Sequence, residues 1–196
     1  MKKFLIMLLT LVMAFALTFS LVACDDDSDK KDEKEETEST TEPTPETTQK
    51  KEPVATPSGY KLYNNGKISF AYPETWQESA GMLVNESGAG NNITVAFEQK
   101  SDFYTNMDVA SFNSELKPML EQAGLTVTNP SVEQLKNDND TKITKIRCSV
   151  SYSGVTMVQT IFVTAAGEYN YVITVTEVTS DATLVENVYK TLDIVE

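Results

Sequence analysis

The chain has 196 residues, two cysteines, no histidine and a formal charge of −13. The missing histidine removes Ser–His and Cys–His nucleophile pairs, histidine general bases and His-ligated zinc together. No cluster of Lys and Arg follows Lys3, so neither nucleic acid nor an anionic lipid surface is an expected partner.

Lys2 and Lys3 precede an almost unbroken apolar run of 19 residues, 4–22, which has the build of a secretory leader. The run ends in Leu21-Val22-Ala23-Cys24, which resembles the lipobox of bacterial prolipoproteins at every position. That resemblance implies a signal peptide over residues 1–23, cleavage between Ala23 and Cys24, and diacylglyceryl transfer to the Cys24 sulfur with chains of the palmitate class. Two acyl chains, at about 0.8 kcal/mol per buried methylene, make a stable anchor where one would be reversible. A transmembrane helix is the competing reading, since a run of this length reaches across a bilayer. Asp25, Asp26 and Asp27 follow directly where a basic stop-transfer cluster would stand, and they favour the leader. The expected location is the outer face of the cytoplasmic membrane, held through the lipid on Cys24.

Residues 24–57 form the expected tether. After Cys24 it carries 12 acidic residues against five lysines, with Pro43, Pro45, Pro53 and Pro57 and almost no apolar side chain. Such a segment cannot offset the entropy of ordering itself and is expected to be disordered. A coil of this length spans at least about 30 Å. The acidic run 25–29 is read as solvated charge, with loose calcium binding as its alternative.

Residues 58–196 are long enough for one domain that needs neither a disulfide nor a metal, and no cofactor is expected. Strands are predicted at 60–63 and 67–72 around an Asn64-Asn65-Gly66 turn, and at 82–85 and 93–97 around the Gly/Asn loop 86–92. A helix is predicted over 109–123, capped by Asp108, ended by Gly124, and kinked or started late by Pro118. Strands at 126–135, 143–152, 157–164 and 169–175 then form a meander with short turns. A closing amphipathic helix over 183–193 is predicted on Leu184, Val188, Tyr189 and Leu192, capped by Ser180 or Asp181. The expected order is four strands, a helix, four strands, a helix.

Tyr72-Pro73-Glu74-Thr75-Trp76 after an Ile-Ser-Phe strand resembles the PsbP-like domains, as does the late pair Gln159-Thr160-Ile161-Phe162-Val163 and Tyr169-Asn170-Tyr171-Val172-Ile173 before a closing helix. The resemblance implies an α+β fold, an antiparallel sheet flanked by helices as an α-β-α sandwich, and an accessory partner-binding role without catalysis. It carries no functional residue to this chain, because such a fold is shared while its sites are not.

Individual residues offer few sites. Cys148 alternates in phase with Ile146, Val150 and Tyr152, so it is expected in the core and not as a reactive thiol. Asn137-Asp138-Asn139-Asp140 places oxygens at alternate positions as a calcium loop does, but lacks the glycine and distant glutamate, and is read as a polar hairpin tip. Glu74 and Glu78 would have to converge across Trp76 to act as a carboxylate pair. Trp76 is read as a core-edge aromatic instead of a ligand platform. The loop 86–92 and exposed Tyr60, Tyr63 and Tyr104 are left for recognition. The expected function is a lipid-anchored, non-catalytic module that binds an envelope protein. The alternative is a binder of a small molecule or cell-wall glycan, and an enzyme using carboxylates or a metal comes last.

Overall fold

The computed structural model describes residues 55–79, 81–85 and 90–195. The expected leader, Ala23, Cys24, nearly all of the expected tether and the middle of the Gly/Asn loop lie outside them.

The chain is α+β. A hairpin of β1 (Tyr60–Asn64) and β2 (Ile68–Pro73) opens it, closed by a turn in which Asn65 Oδ1 accepts from the amides of Lys67 and Ile68, both at 3.0 Å. Gly66 there has φ +80°, a conformation that a Cβ disfavours. Next come β3 (Trp76–Ser79), β4 (Met82–Asn85) and β5 (Asn92–Gln99). Five strands, not four, therefore precede the first helix. β3 escaped prediction because Trp76 is its sole buried residue and Gln77, Glu78 and Ser79 are polar, so only pairing with β4 shows it to be a strand.

Helix α1 runs in three consecutive segments: an α-turn Val109–Ser111, a π-helical turn Phe112–Leu116 and an α-helical stretch Lys117–Gln122. Asp108 caps it as expected, its carboxylate accepting from Ser111 N at 2.7 Å. The π turn answers the expected disturbance at Pro118. Proline removes a donor and crowds the carbonyl four residues back, and widening the preceding turn, with Lys117 N–H donating to Phe112 O, relieves both. Gly124, at φ +87°, ends the helix.

The meander follows as β6 (Thr126–Lys136), β7 (Lys142–Tyr152), β8 (Val155–Ala166) and β9 (Tyr169–Glu177). Two-residue loops, Ser153-Gly154 and Gly167-Glu168, join the last three strands. Helix α2 (Ala182–Thr191) stops short of the expected end at Asp193, because Asp193–Ile194 forms β10, paired with β2. Asp181 caps α2, with Oδ1 accepting from Leu184 N at 2.9 Å.

All pairings are antiparallel. A seven-stranded sheet has the order β3-β4-β5-β9-β8-β7-β6, and β1, β2 and β10 form a smaller sheet with β2 in the middle. The large sheet has a core on each face. On one, Ile93, Phe162, Ile173 and Val175 meet Ile68 and Phe70 of β2 and Leu184, Val188 and Leu192 at the α2 end. On the other, Ile146, Cys148, Val150 and Ile161 meet Phe112, Leu116 and Leu120 of α1. Burying a side chain such as Phe70 or Phe112 contributes about 2–3 kcal/mol. The expected sandwich is thus present, with the small sheet sharing one outer layer with α2.

Candidate functional site

β5 and β9 run side by side for their whole length, with Phe97 opposite Tyr171 and Gln99 opposite Tyr169. Side chains alternate across a strand, so Phe97, Tyr169 and Tyr171 share the face that carries Ile93, Val95, Ile173 and Val175. Ile93 is fully buried in the first core, whereas Phe97, four residues on, is 61% exposed and Tyr169 is 43% exposed. The covering layer ends between them. Phe97 meets Tyr169 edge to face, with ring centroids 5.4 Å apart at 87°, and lies 6.0 Å from the Tyr171 ring. An apolar ring this exposed beside a second one marks a contact surface more than a core edge. Neither residue was singled out from sequence, because Phe97 continues the inward phase of its strand.

The tyrosines that were singled out behave otherwise. Tyr104 is 4% exposed, not exposed: its ring packs in the core beneath α1 and meets Phe103 at 5.1 Å. Burial pushes its phenol pKa strongly up, and the nearby Glu98 carboxylate, to which its hydroxyl donates, raises it further. Tyr60 and Tyr63 are half-buried against the first core, Tyr63 stacking on Phe70 at 4.9 Å. Only Gly90, Asn91 and Asn92 of the Gly/Asn loop are described. Asn91 is a tie: Oδ1 accepts from Val178 N (2.9 Å) and Thr179 N (3.0 Å), and Nδ2 donates to Thr179 O (2.8 Å).

The chemically suggestive clusters prove structural. Asn137 Nδ2 donates to the Tyr189 and Leu192 carbonyls at 2.9 and 2.6 Å, while its Oδ1 accepts from Asn139 N and Thr141 N, both at 3.1 Å. Asn139 Nδ2 reaches Lys190 O at 3.1 Å, and Asp140 pairs with Lys136 at 2.8 Å. The expected polar hairpin tip is therefore a C-terminal cap for α2, built from β6–β7 side chains. Among the described residues no group of three or more carboxylates or cysteines is gathered as for a metal. Glu74 and Glu78 are both exposed, so neither has the buried carboxyl that the pair chemistry requires. Trp76 is buried in the first core, as read, and its carbonyl accepts from Lys61 Nζ at 2.7 Å.

Cys148 lies under α1 among Ile146, Val150 and Ile161, and burial pushes its thiol up to about 11. The folded chain should therefore leave a thiol-reactive probe such as Ellman's reagent unconsumed at neutral pH, with one thiol appearing on denaturation of protein blocked at Cys24. Rapid labelling of the native protein would contradict this burial.

The polar ties on the other end of the sheet involve the sole arginine of the chain. Arg147 Nη1 donates to Thr160 Oγ1 at 2.8 Å and to Glu177 Oε2 at 3.1 Å, and Glu177 Oε1 accepts from Asp181 N at 2.8 Å. The pair anchors β7 to the end of β9 and to the start of α2. Among the described residues no helix is long and apolar enough to cross a membrane.

Comparison with known proteins supports the fold. No family model matches the chain, and no curated protein matches it. Among solved structures it resembles the cyanobacterial PsbP protein (CyanoP) of Synechocystis, with a TM-score of 0.53 and 10% identity over 72% of this chain and 95% of that one. A protein from Bacteroides thetaiotaomicron gives a TM-score of 0.47 and 13% identity over 70% of this chain and 49% of that one. The first likeness shows a PsbP-like fold, and at that identity it shows the fold alone.

Proposed function

We propose that this chain is a bacterial lipoprotein, anchored through Cys24 to the outer face of the cytoplasmic membrane, whose PsbP-like domain binds an envelope protein without catalysis. The exposed Phe97–Tyr169 surface carries the reading: it is apolar, rigidly backed by two paired strands, and unused by the domain's own core. The anchor rests on Leu21-Val22-Ala23-Cys24 and the charged, proline-bearing tether behind it. Cys24→Ala should leave an unprocessed precursor that incorporates no radiolabelled fatty acid. Label entering that variant would overturn the anchor.

Binding is tested by in-cell chemical crosslinking and affinity recovery of the full chain, compared with a protein carrying only the leader and residues 24–57. A specific envelope partner should be recovered from the full chain alone. Phe97→Ala should reduce its recovery at least about tenfold, the effect of losing one central aromatic anchor. A glycan binder is the second reading, since exposed rings stack on sugar faces. The 87° angle between Phe97 and Tyr169 denies it a flat platform. Identical capture lists from the two proteins would move the weight there.

A further inference from the structure

We propose that the open edge of β5 beyond Thr94 receives a basic, extended segment of a partner protein as an added antiparallel strand. The proposal deepens the protein-binding reading and rests on it. On one side β5 pairs with β9 from Asn92 to Gln99, but on the other β4 reaches only Asn92, Ile93 and Thr94. Beyond Thr94 this edge has no partner strand among the described residues. Lys100 N donates to Glu168 O at 2.8 Å, which sets the phase of the β5–β9 ladder. Hydrogen-bonded pairs alternate in an antiparallel ladder, so even-numbered β5 residues bond β9, and Phe97 and Gln99 turn their N–H and C=O groups to the open edge. No described residue supplies those groups with a partner.

The opposite edge of the same sheet shows what protection looks like. β6 carries Pro130 within a register shift between Thr128 and Ser131, a positive φ at Asn129, and the charged Glu133 and Lys136. These are the usual obstacles to edge pairing. The Val-Ala-Phe-Glu-Gln segment of β5 has no proline, no lysine and no register shift, and it carries an exposed phenylalanine at its centre. Main-chain groups on such an edge supply affinity, and alternate side chains supply selection.

Charge selects the occupant. On β5 and in the segment after it, Glu98 and Asp102 outnumber Lys100, and residues 58–196 carry 17 acidic residues against eight lysines and Arg147. An edge-to-edge pair of two copies would bring like charges together. A partner strand with apolar residues facing Phe97 and Tyr169, and Lys or Arg on the Glu98 face, meets both the rings and the acids. Burial already holds the Glu98 carboxyl above its ordinary range, and a facing cation would favour its charged form.

The test uses hydrogen exchange of the full chain with synthetic peptides as probes: one alternating Lys with Val and Phe, one of the same sequence N-methylated at its edge-facing amides, and one with Glu in place of Lys. The basic peptide should slow exchange at Phe97 and Gln99 at least about tenfold at saturation. The N-methylated and acidic peptides should not, and about 0.5 M salt should weaken the effect. Equal slowing by the N-methylated peptide, or none by the basic one, overturns strand addition. Slowing that rises with protein concentration alone, with dimers in sedimentation, assigns the edge to a second copy and overturns it too. A partner recovered by crosslinking of the full chain alone while every peptide fails would defeat strand addition and leave the protein-binding reading standing. The same crosslink blank would defeat both.

Discussion

Asn137→Ala is expected to lower the unfolding free energy by about 3 kcal/mol, read as a fall in the denaturant midpoint at unchanged slope. Asn137 is buried and fully used: two donors satisfy the last carbonyls of α2 and its oxygen holds two amides of its own loop. Alanine leaves the Tyr189 and Leu192 carbonyls without those donors and removes the fixed point at which the β6–β7 loop meets the helix. Asn137→Asp should be at least as damaging despite its near-identical volume, because it removes the donors and sets a negative charge against the negative end of the helix. Asn139→Ala, which removes one exposed bond to Lys190 O and a longer, part-buried one to Leu192 O at 3.3 Å, should cost only about 0.5–1 kcal/mol. Equal effects at 137 and 139 would show that the loop does not hold the helix through Asn137.

Arg147→Met is expected to destabilise by a similar amount, about 3 kcal/mol. The Glu177 side chain is 1% exposed and Arg147 39% exposed, so the arginine is the route by which a buried carboxylate is compensated from the surface. Removing it strands Glu177 with only the Asp181 amide, at 2.8 Å, for support. Methionine keeps the length and the apolar stem, which isolates the charge from the packing. Adding Glu177→Gln to that variant should recover most of the loss, since a neutral amide still accepts from Asp181 N without an orphaned charge. If the double variant is no more stable than the single one, packing and not charge dominates the site. The Lys145–Glu133 pair, at 3.1 Å but with side chains 27% and 50% exposed, should contribute under about 1 kcal/mol.

Period-two alternation placed Cys148, Ile146 and Val150 on one buried face, and the structure seats all three under α1. Short-range signals were equally legible: Asp108 as one cap and Ser180 or Asp181 as the other, which the structure assigns to Asp181, Gly124 as a terminator, Ser153-Gly154 as a turn. Each depends on contacts within a few residues, which a linear pattern contains. β3 and β10 were not legible, because a four-residue polar strand and a two-residue one exist only through their partners β4 and β2. Tyr104 was misjudged for a related reason. It sits in a loop with no periodicity, and what buries it is α1 and the tie of Gln134 and Thr144 to its carbonyl, at 3.1 and 2.9 Å.

The residues alone thus determined the resemblance of 21–24 to a lipobox, the acidic composition of 25–57, the absence of histidine and an α+β chain of antiparallel strands and two helices. Composition and local periodicity set such properties, and they hold wherever the elements come to rest. Tertiary structure decided where the surface lies. Phe97 is in phase with Ile93 yet lies beyond the layer that buries Ile93, and the β5 edge is open because β4 pairs with only three of its residues. Burial depends on what lies above a strand and edge pairing on what lies beside it, and both are set by segments far away in the chain.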